Sequence, residues 1–205
     1  MRGDDFTQNL ALGQEAESML AKCLARRGHH AMRIFPEQST GIGPRIETPT
    51  GAIVSPDIIA VTVDGNVIWF EVKSKGVPGY RYSGEHRGWE HGVDWGKFRD
   101  YGRLAERASV NIMVRELKSP PSLDPLPERF PPKVNGKPDW ADYHKHLVDR
   151  EVWRWISYER CLSVGRKQDN WKSQKCRDGV SRQISGWLWP IREMHVFDGF
   201  DAVGG

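Results

Sequence analysis

The chain has 205 residues, with 30 Lys and Arg against 27 Asp and Glu, a formal net charge of +3, and 9 Trp, 21 Gly and 13 Pro. That length suits one domain with an appendage and can bury a core without staples, while an aromatic content of 10% argues against simple disorder. No run approaches the ~18–20 apolar residues of a membrane span, the start lacks the apolar segment of a signal peptide, and three widely spaced cysteines (Cys23, Cys161, Cys176) point to a reducing cytoplasm, not a disulfide framework.

In chain order, the first predicted element is a helix over residues 10–27. At ~100° per residue, Leu12, Ala16, Met19, Leu20, Cys23 and Leu24 fall in one stripe. Gly28 stands where a glycine would end it. Residues 31–35 read as a first strand. Residues 36–55 form a Gly/Pro/Thr-rich connection without the Gly-Lys-Ser/Thr ending of a phosphate loop. Residues 57–63 and 67–73 are strand-like runs joined by Asp64-Gly65-Asn66, a β-hairpin pattern. Both of its faces are apolar, with Ile59, Val61, Val63, Val67 and Trp69 on one and Ile58, Ala60, Ile68, Phe70 and Val72 on the other. Such a hairpin belongs inside a covered sheet.

Residues 76–93 read as a loop rich in Gly, Arg, His and aromatics. Asp94 can cap a helix running to about residue 108, with Trp95, Phe98, Tyr101, Leu104 and Ala108 inward. Residues 110–114 form a short strand. Residues 119–138 are too proline-rich for a helix or a central strand. A helix is expected from Asp139, residues 152–162 are ambiguous between helix and strand, and residues 184–191 form a late apolar stretch. Between Arg150 and Arg192 ten Lys and Arg stand against four Asp and Glu, interleaved with Trp153, Trp155, Trp171, Trp187 and Trp189. The basic excess is therefore local to the late part of the chain, where duplex phosphates would meet it.

Two charges at the end of so apolar a strand need a chemical reason. Pro56-Asp57 opens one run, and Glu71-Val72-Lys73 closes its partner after thirteen intervening residues. This pattern, in its helix–strand–hairpin–helix–strand setting over residues 13–116, resembles the PD-(D/E)XK nuclease superfamily. RecB-like or phage-type exonucleases and Holliday-junction-resolvase-like enzymes are its candidate branches. The resemblance implies an α/β, restriction-endonuclease-like core, a mixed central sheet flanked by helices. It implies Mg²⁺ or Mn²⁺ held by Asp57, Glu71 and the main-chain carbonyl of Val72, with Lys73 assisting the nucleophilic water. The chemistry suits these residue types. Paired carboxylates hold a hard divalent ion, the ion activates water and phosphate, and a lysine offsets developing charge.

Geometry adds a constraint. Side chains alternate along a strand, so Glu71 and Lys73 share a face. Asp57 joins them only if paired residue numbers sum to an even value, as with Val63 opposite Val67. That pairing predicts a three-residue Asp64-Gly65-Asn66 loop, with Asn66 at positive φ.

The superfamily often supplies another acid from the first helix, in a pattern that Glu17, Leu20, Leu24 and Gly28 match. Glu17 is favoured over Glu15, which lies on the opposite border of the stripe. The exonuclease branch carries Gln-x-x-x-Tyr after the lysine, where this chain has Lys97 and Tyr101; one helix face presents both. Lys97 departs from the branch pattern but can still meet a phosphate, and Tyr101 can equally be core. Lys75, Arg81 and Arg87 are the remaining candidates for substrate contact. The loop that holds the two arginines mixes cations with rings such as Trp89, which could stack on bases or plug the core. His144-x-His146 lacks a second pair at zinc-finger spacing, and three cysteines fall short of the four thiolates of an iron–sulfur cluster.

The expectation is a nuclease core over residues 8–118, a Pro-rich excursion over 119–138, and a Trp-rich, basic C-terminal extension packed on the core over 139–205. The expected activity is metal-dependent hydrolysis of DNA, with exonuclease and endonuclease both open. The alternative is a DNA-binding or assembly protein that keeps the fold without hydrolysis. DNA is the expected partner, no membrane is, and a homo-oligomer stays open.

Overall fold

The computed structural model describes residues 3–34, 44–81, 87–123, 133–134, 137–138, 145–175 and 181–199. Helix α1 (Gly3–Arg26) is followed by β1 (His30–Arg33), the two-residue pair β2 (Arg45–Ile46) and β3 (Ile53–Val54), then β4 (Ile58–Val61) and β5 (Val67–Lys75). Next come β6 (Gly79–Arg81), β7 (Gly88–Asp94), α2 (Trp95–Ala105) and β8 (Ser109–Glu116). The later part holds the small pair β9 (Lys133–Val134) and β10 (Lys137–Pro138), then β11 (Val152–Ser157), α3 (Tyr158–Val164), β12 (Arg166–Lys175), β13 (Ser181–Pro190) and β14 (His195–Val196).

A six-stranded mixed sheet in the order β1-β4-β5-β8-β11-β14 forms the centre. Its neighbours are antiparallel except β5 and β8, which run parallel because β6, β7 and α2 form the crossover between them. The stripe on α1 covers one face: Ala16, Leu20 and Leu24 pack on Ile58, Ala60, Phe70, Val72, Met113 and Trp153. A fully buried Leu such as Leu20 contributes roughly 1.5–3 kcal/mol of burial free energy. Over the other face lie α2, α3 and a second sheet in the order β12-β13-β7-β6. Val93, Phe98, Cys161 and Trp189 there pack on Ile112, Val114 and Ile156. The fold is thus a mixed α/β layer structure with helices on both faces of its central sheet.

Several sequence expectations need correction. The predicted loop over 76–93 contains the β6–β7 hairpin, and Trp89 is buried within it against Tyr80. The ambiguous stretch over 152–162 divides into a strand and a helix. Its strand, β11, lies inside the central sheet between β8 and β14. The Asp64–Asn66 loop is displaced by one residue. Thr62 N donates to Asn66 O at 2.8 Å, which closes the three residues Val63-Asp64-Gly65, and Gly65 takes φ +81° where Asn66 was expected to be left-handed. The hairpin is covered on both faces only in part, since Val63 and Val67 at its tip are 68% and 40% exposed. Residues 139–144, where a helix was expected to begin and where His144 lies, fall outside the described residues, as do Phe35 and Cys176. Cys23 and Cys161 are free and buried. Among the described residues no helix is long and apolar enough to cross a membrane.

Candidate active site

The register of the β4–β5 hairpin sets the site. Ile58 faces Phe70 and Val61 faces Val67, so the even sum holds despite the displaced loop. Asp57, one residue before β4, therefore stands opposite Glu71 and on the face that carries Glu71 and Lys73. Asp57 is anchored at both ends: its carbonyl accepts from Ile34 N at 2.8 Å, and its Oδ2 accepts from Val72 N at 2.8 Å. Asp94 caps α2 through Gly96 N, at 2.8 Å, and the helix then presents Lys97 and Tyr101 from one side toward Glu71.

Glu71 is completely buried. Its Oε1 is ion-paired with Lys73 and lies 3.5 Å from Lys97 Nζ, and the Tyr101 phenol beside them helps to keep the carboxylate ionised. Burial pushes the carboxyl up, but Lys73 and Lys97 outweigh it and hold Glu71 down at about 2. For Asp57 the balance goes the other way. Burial and then the Glu71 charge push it up to about 7, with Lys73 and Lys97 opposing. Burial works against the Lys73 ammonium, yet Glu71 and Asp57 keep its pKa above the ordinary lysine value. Tyr101 has no exposed surface, and burial together with Glu71 and Asp57 raises its phenol well above the usual range. The niche is a pair of coupled carboxylates balanced by two lysines.

The other candidates divide by position. Glu17 lies on the α1 side of the sheet, held by Arg33 at 3.2 Å, and its charge adds to that of the carboxylates that keep Lys73 protonated. Glu15 instead pairs with Arg115 at 3.0 Å, in a cluster that includes Glu151. Lys75 is on the same face as Lys73, one step farther along β5 and level with Glu116 of β8. Arg81 and Arg87 are placed at the opposite end of the β6–β7 hairpin from Asp94, about 20 Å along a seven-residue strand. The structure does not bring them to the carboxylates.

Sequence reasoning missed a second polar cluster on this face. Glu116 Oε1 meets His91 Nε2 at 2.8 Å and Arg154 Nε at 2.9 Å, while its Oε2 accepts from Ser119 Oγ at 2.7 Å. All four residues are buried. The alternation of Trp89, His91 and Val93 was the available signal for the strand, but nothing in local spacing ties His91 to a glutamate 25 residues away.

Among the described residues no group of three or more His, Cys, Asp or Glu side chains is spaced to hold a metal ion. Asp57 and Glu71 nonetheless suit a hard divalent ion. They are two facing carboxylates, one of them fully buried, and Mg²⁺ commonly takes only one or two protein carboxylates while keeping waters.

No family model matches the chain, and no curated protein matches it. Among solved structures it is similar to Hjc, a Holliday junction resolvase from Archaeoglobus fulgidus, an archaeal hyperthermophile. The identity is 10% and the TM-score 0.43, over 93% of this chain and 95% of that one.

Proposed function

We propose that this chain is a divalent-metal-dependent deoxyribonuclease with a restriction-endonuclease-like core. The observation that carries the reading is the juxtaposition of Asp57, Glu71 and Lys73 on one face of adjacent strands, with Glu71 fully buried and ion-paired with Lys73. A buried carboxylate coupled to a second one and balanced by two lysines has the perturbed titration typical of functional sites. Asp57 and Glu71, with the main-chain carbonyl of Val72 as a further donor, would hold Mg²⁺ or Mn²⁺. A divalent ion there supplies polarisation of the scissile phosphate and a more acidic water.

The chain's own groups do the rest. Lys73, kept protonated by its two carboxylate neighbours, orients the attacking water and offsets the charge that grows on the phosphate. Lys97 brings a second ammonium to the same niche, in the place where the exonuclease branch has a glutamine. Tyr101 stays a phenol and closes the floor of the niche to water. Glu17, fixed by Arg33, steadies Lys73 from the α1 side. Lys75, Arg81 and Arg87 are assigned to substrate contact beyond the niche. One chain supplies all of these groups.

The test uses the full-length chain with labelled linear, circular, single-stranded and four-way branched DNA, in Mg²⁺ or Mn²⁺. Metal-dependent cleavage by the wild type, lost in Glu71→Ala, is the expected result. Full activity in Glu71→Ala, or tight binding with no cleavage of any substrate in either metal, would overturn the reading.

A further inference from the structure

Strand β7 runs past the strand beside it. β6 pairs with it only from Arg81 opposite Gly88 to Gly79 opposite Glu90. From His91 to Asp94, β7 keeps β13 on one side and, among the described residues, has no strand on the other. An edge left open in this way presents main-chain groups to whatever lies beside it. Here it borders a cavity of about 100 Å³, open to solvent, that lies between the β7 edge and the end of β5.

Two glycines of different kinds line it. Gly92 has no room for a side chain, since a Cβ there would fall 2.1 Å from Leu188 Cδ2 and 3.2 Å from the Trp171 ring. Leu188 and Trp171 take that space and form the apolar wall. At Gly79 a Cβ would meet only Glu90, at 3.4 Å or more, and the backbone there is not left-handed. Neither packing nor conformation therefore demands a glycine at position 79, and the space it leaves belongs to the cavity. The polar wall is Glu90 and Lys75. Arg166 holds the Glu90 carboxylate at 3.0 Å, and Leu117 N and Lys118 N hold the carbonyls of Lys75 and Gly76 at 2.9 and 3.0 Å.

An aromatic wall, a carboxylate, an ammonium and open main-chain groups suit a flat heteroaromatic ring with donors and acceptors along its edge. The size agrees. An enclosed cavity of roughly 150 Å³ holds benzene, so an open one of this volume admits one planar ring and little more. The position agrees as well. Lys75 shares a face with Lys73 and stands about 7 Å beyond it along β5, so a strand whose phosphate lies at Lys73 can bring a neighbouring base to the cavity. We infer that the cavity takes one unstacked nucleobase of the strand being cut, so that cleavage requires an unpaired nucleotide beside the scissile phosphate. This assignment rests on the nuclease reading above. The base packs on Trp171, while Glu90 accepts from its amino edge and Lys75 donates to its carbonyl edge. A base inside a continuous duplex must first be unpaired and unstacked, a cost that a single strand avoids.

The experiment moves one abasic site, a sugar without its base, along a labelled single strand of defined sequence cut by the full-length chain in Mg²⁺ or Mn²⁺. With wild type, one position beside the scissile phosphate should lower cleavage about ten-fold, the scale of one lost base–aromatic contact, and its neighbours should change it little. Gly79→Val fills the cavity from a position that admits a Cβ. It should lower cleavage of the intact strand by the same factor, show no further loss at the sensitive position, and keep the wild-type melting temperature. If Gly79→Val melts lower, the wild-type scan alone decides the assignment. A flat abasic profile in an active wild type overturns the base pocket and leaves the nuclease reading standing. So does cleavage by Gly79→Val within two-fold of wild type, or a loss in that variant that adds to the abasic loss. A continuous duplex cut as fast as the single strand overturns the requirement for an unpaired nucleotide. A wild type that cleaves no DNA overturns both readings.

Discussion

Two buried glutamates stand on one face of neighbouring strands, and they are treated in opposite ways. Glu116 on β8 has both oxygens engaged, by His91, Arg154 and Ser119. Glu71 on β5, equally buried, faces the ammonium groups of Lys73 and Lys97, the Tyr101 phenol and a second carboxylate, Asp57. A carboxylate taken out of water is costly unless its lone pairs are met. Glu116 is neutralised within its own cluster, whereas the Glu71 charge is shared with a second carboxylate that it helps push up to about 7. Burial alone does not identify a site; what the buried group is coupled to does.

That contrast can be broken first at Glu71. Glu71→Ala should lower DNA cleavage by about three orders of magnitude or more, as expected for a group that organises charge at the reacting phosphate. Its cost in thermal stability should be smaller than that of the matched change at Glu116. Glu116→Ala is expected to do the reverse. It strands Arg154 and His91 in the interior and should cost about 3–5 kcal/mol in denaturant unfolding, while cleavage by the folded fraction persists. Loss of activity without loss of stability in Glu116→Ala would dissolve the distinction. Lys97→Ala should have an intermediate effect, about ten-fold on cleavage, with Lys97→Arg restoring part of it.

The smallest effect separates the two clusters by pH. Burial lowers the pKa of His91 below its ordinary 6.5; Glu116 opposes this, and Lys75 and Arg154 reinforce it. A group depressed in the fold contributes stability above its unfolded pKa and loses it as pH falls toward the folded value. His91 therefore contributes a decline in unfolding free energy below about pH 6.5. Asp57, raised to about 7, contributes the opposite in that range, so the stability difference between wild type and His91→Gln should shrink as pH falls. An unchanged pH slope in His91→Gln would remove His91 from the account.

The same contrast explains what could be read from the sequence. Asp57, Glu71 and Lys73 were legible because strand alternation and one parity rule fix their common face, whatever the loop between them. Even the displaced loop kept that parity, since Gly65 accepts a positive φ more readily than Asn66 and the turn moved by a whole residue pair. The stripe of α1 and the Asp94 cap were legible for similarly local reasons. The Glu116 cluster was not, because its members come from β7, β8 and β11 and the turn after β8 and meet only through sheet order. The β6–β7 hairpin was hidden by Gly79, Gly88 and Gly92, which read as loop punctuation, although Gly92 is small because Leu188 and Trp171 press against it. The far end of the β12–β13 pair was hidden by its polarity, since hydrophobic alternation has nothing to report along Lys-Ser-Gln-Lys.

The central sheet has one more consequence, for how the molecule is made. Its spatial order, β1-β4-β5-β8-β11-β14, is also its order along the chain, so each strand can add to the edge left by the one before. Assembly can follow synthesis from the N-terminal side without threading a late strand between early ones. The exception is the clasp at the end, where Cys23 Sγ donates to Gly199 O at 3.2 Å and Phe197 N donates to Trp153 O at 2.8 Å. The first of these contacts spans 176 residues, so α1 must wait for nearly the whole described chain before its docking is complete. The slowest folding phase should therefore report on α1 and not on the strands that carry Asp57 and Glu71.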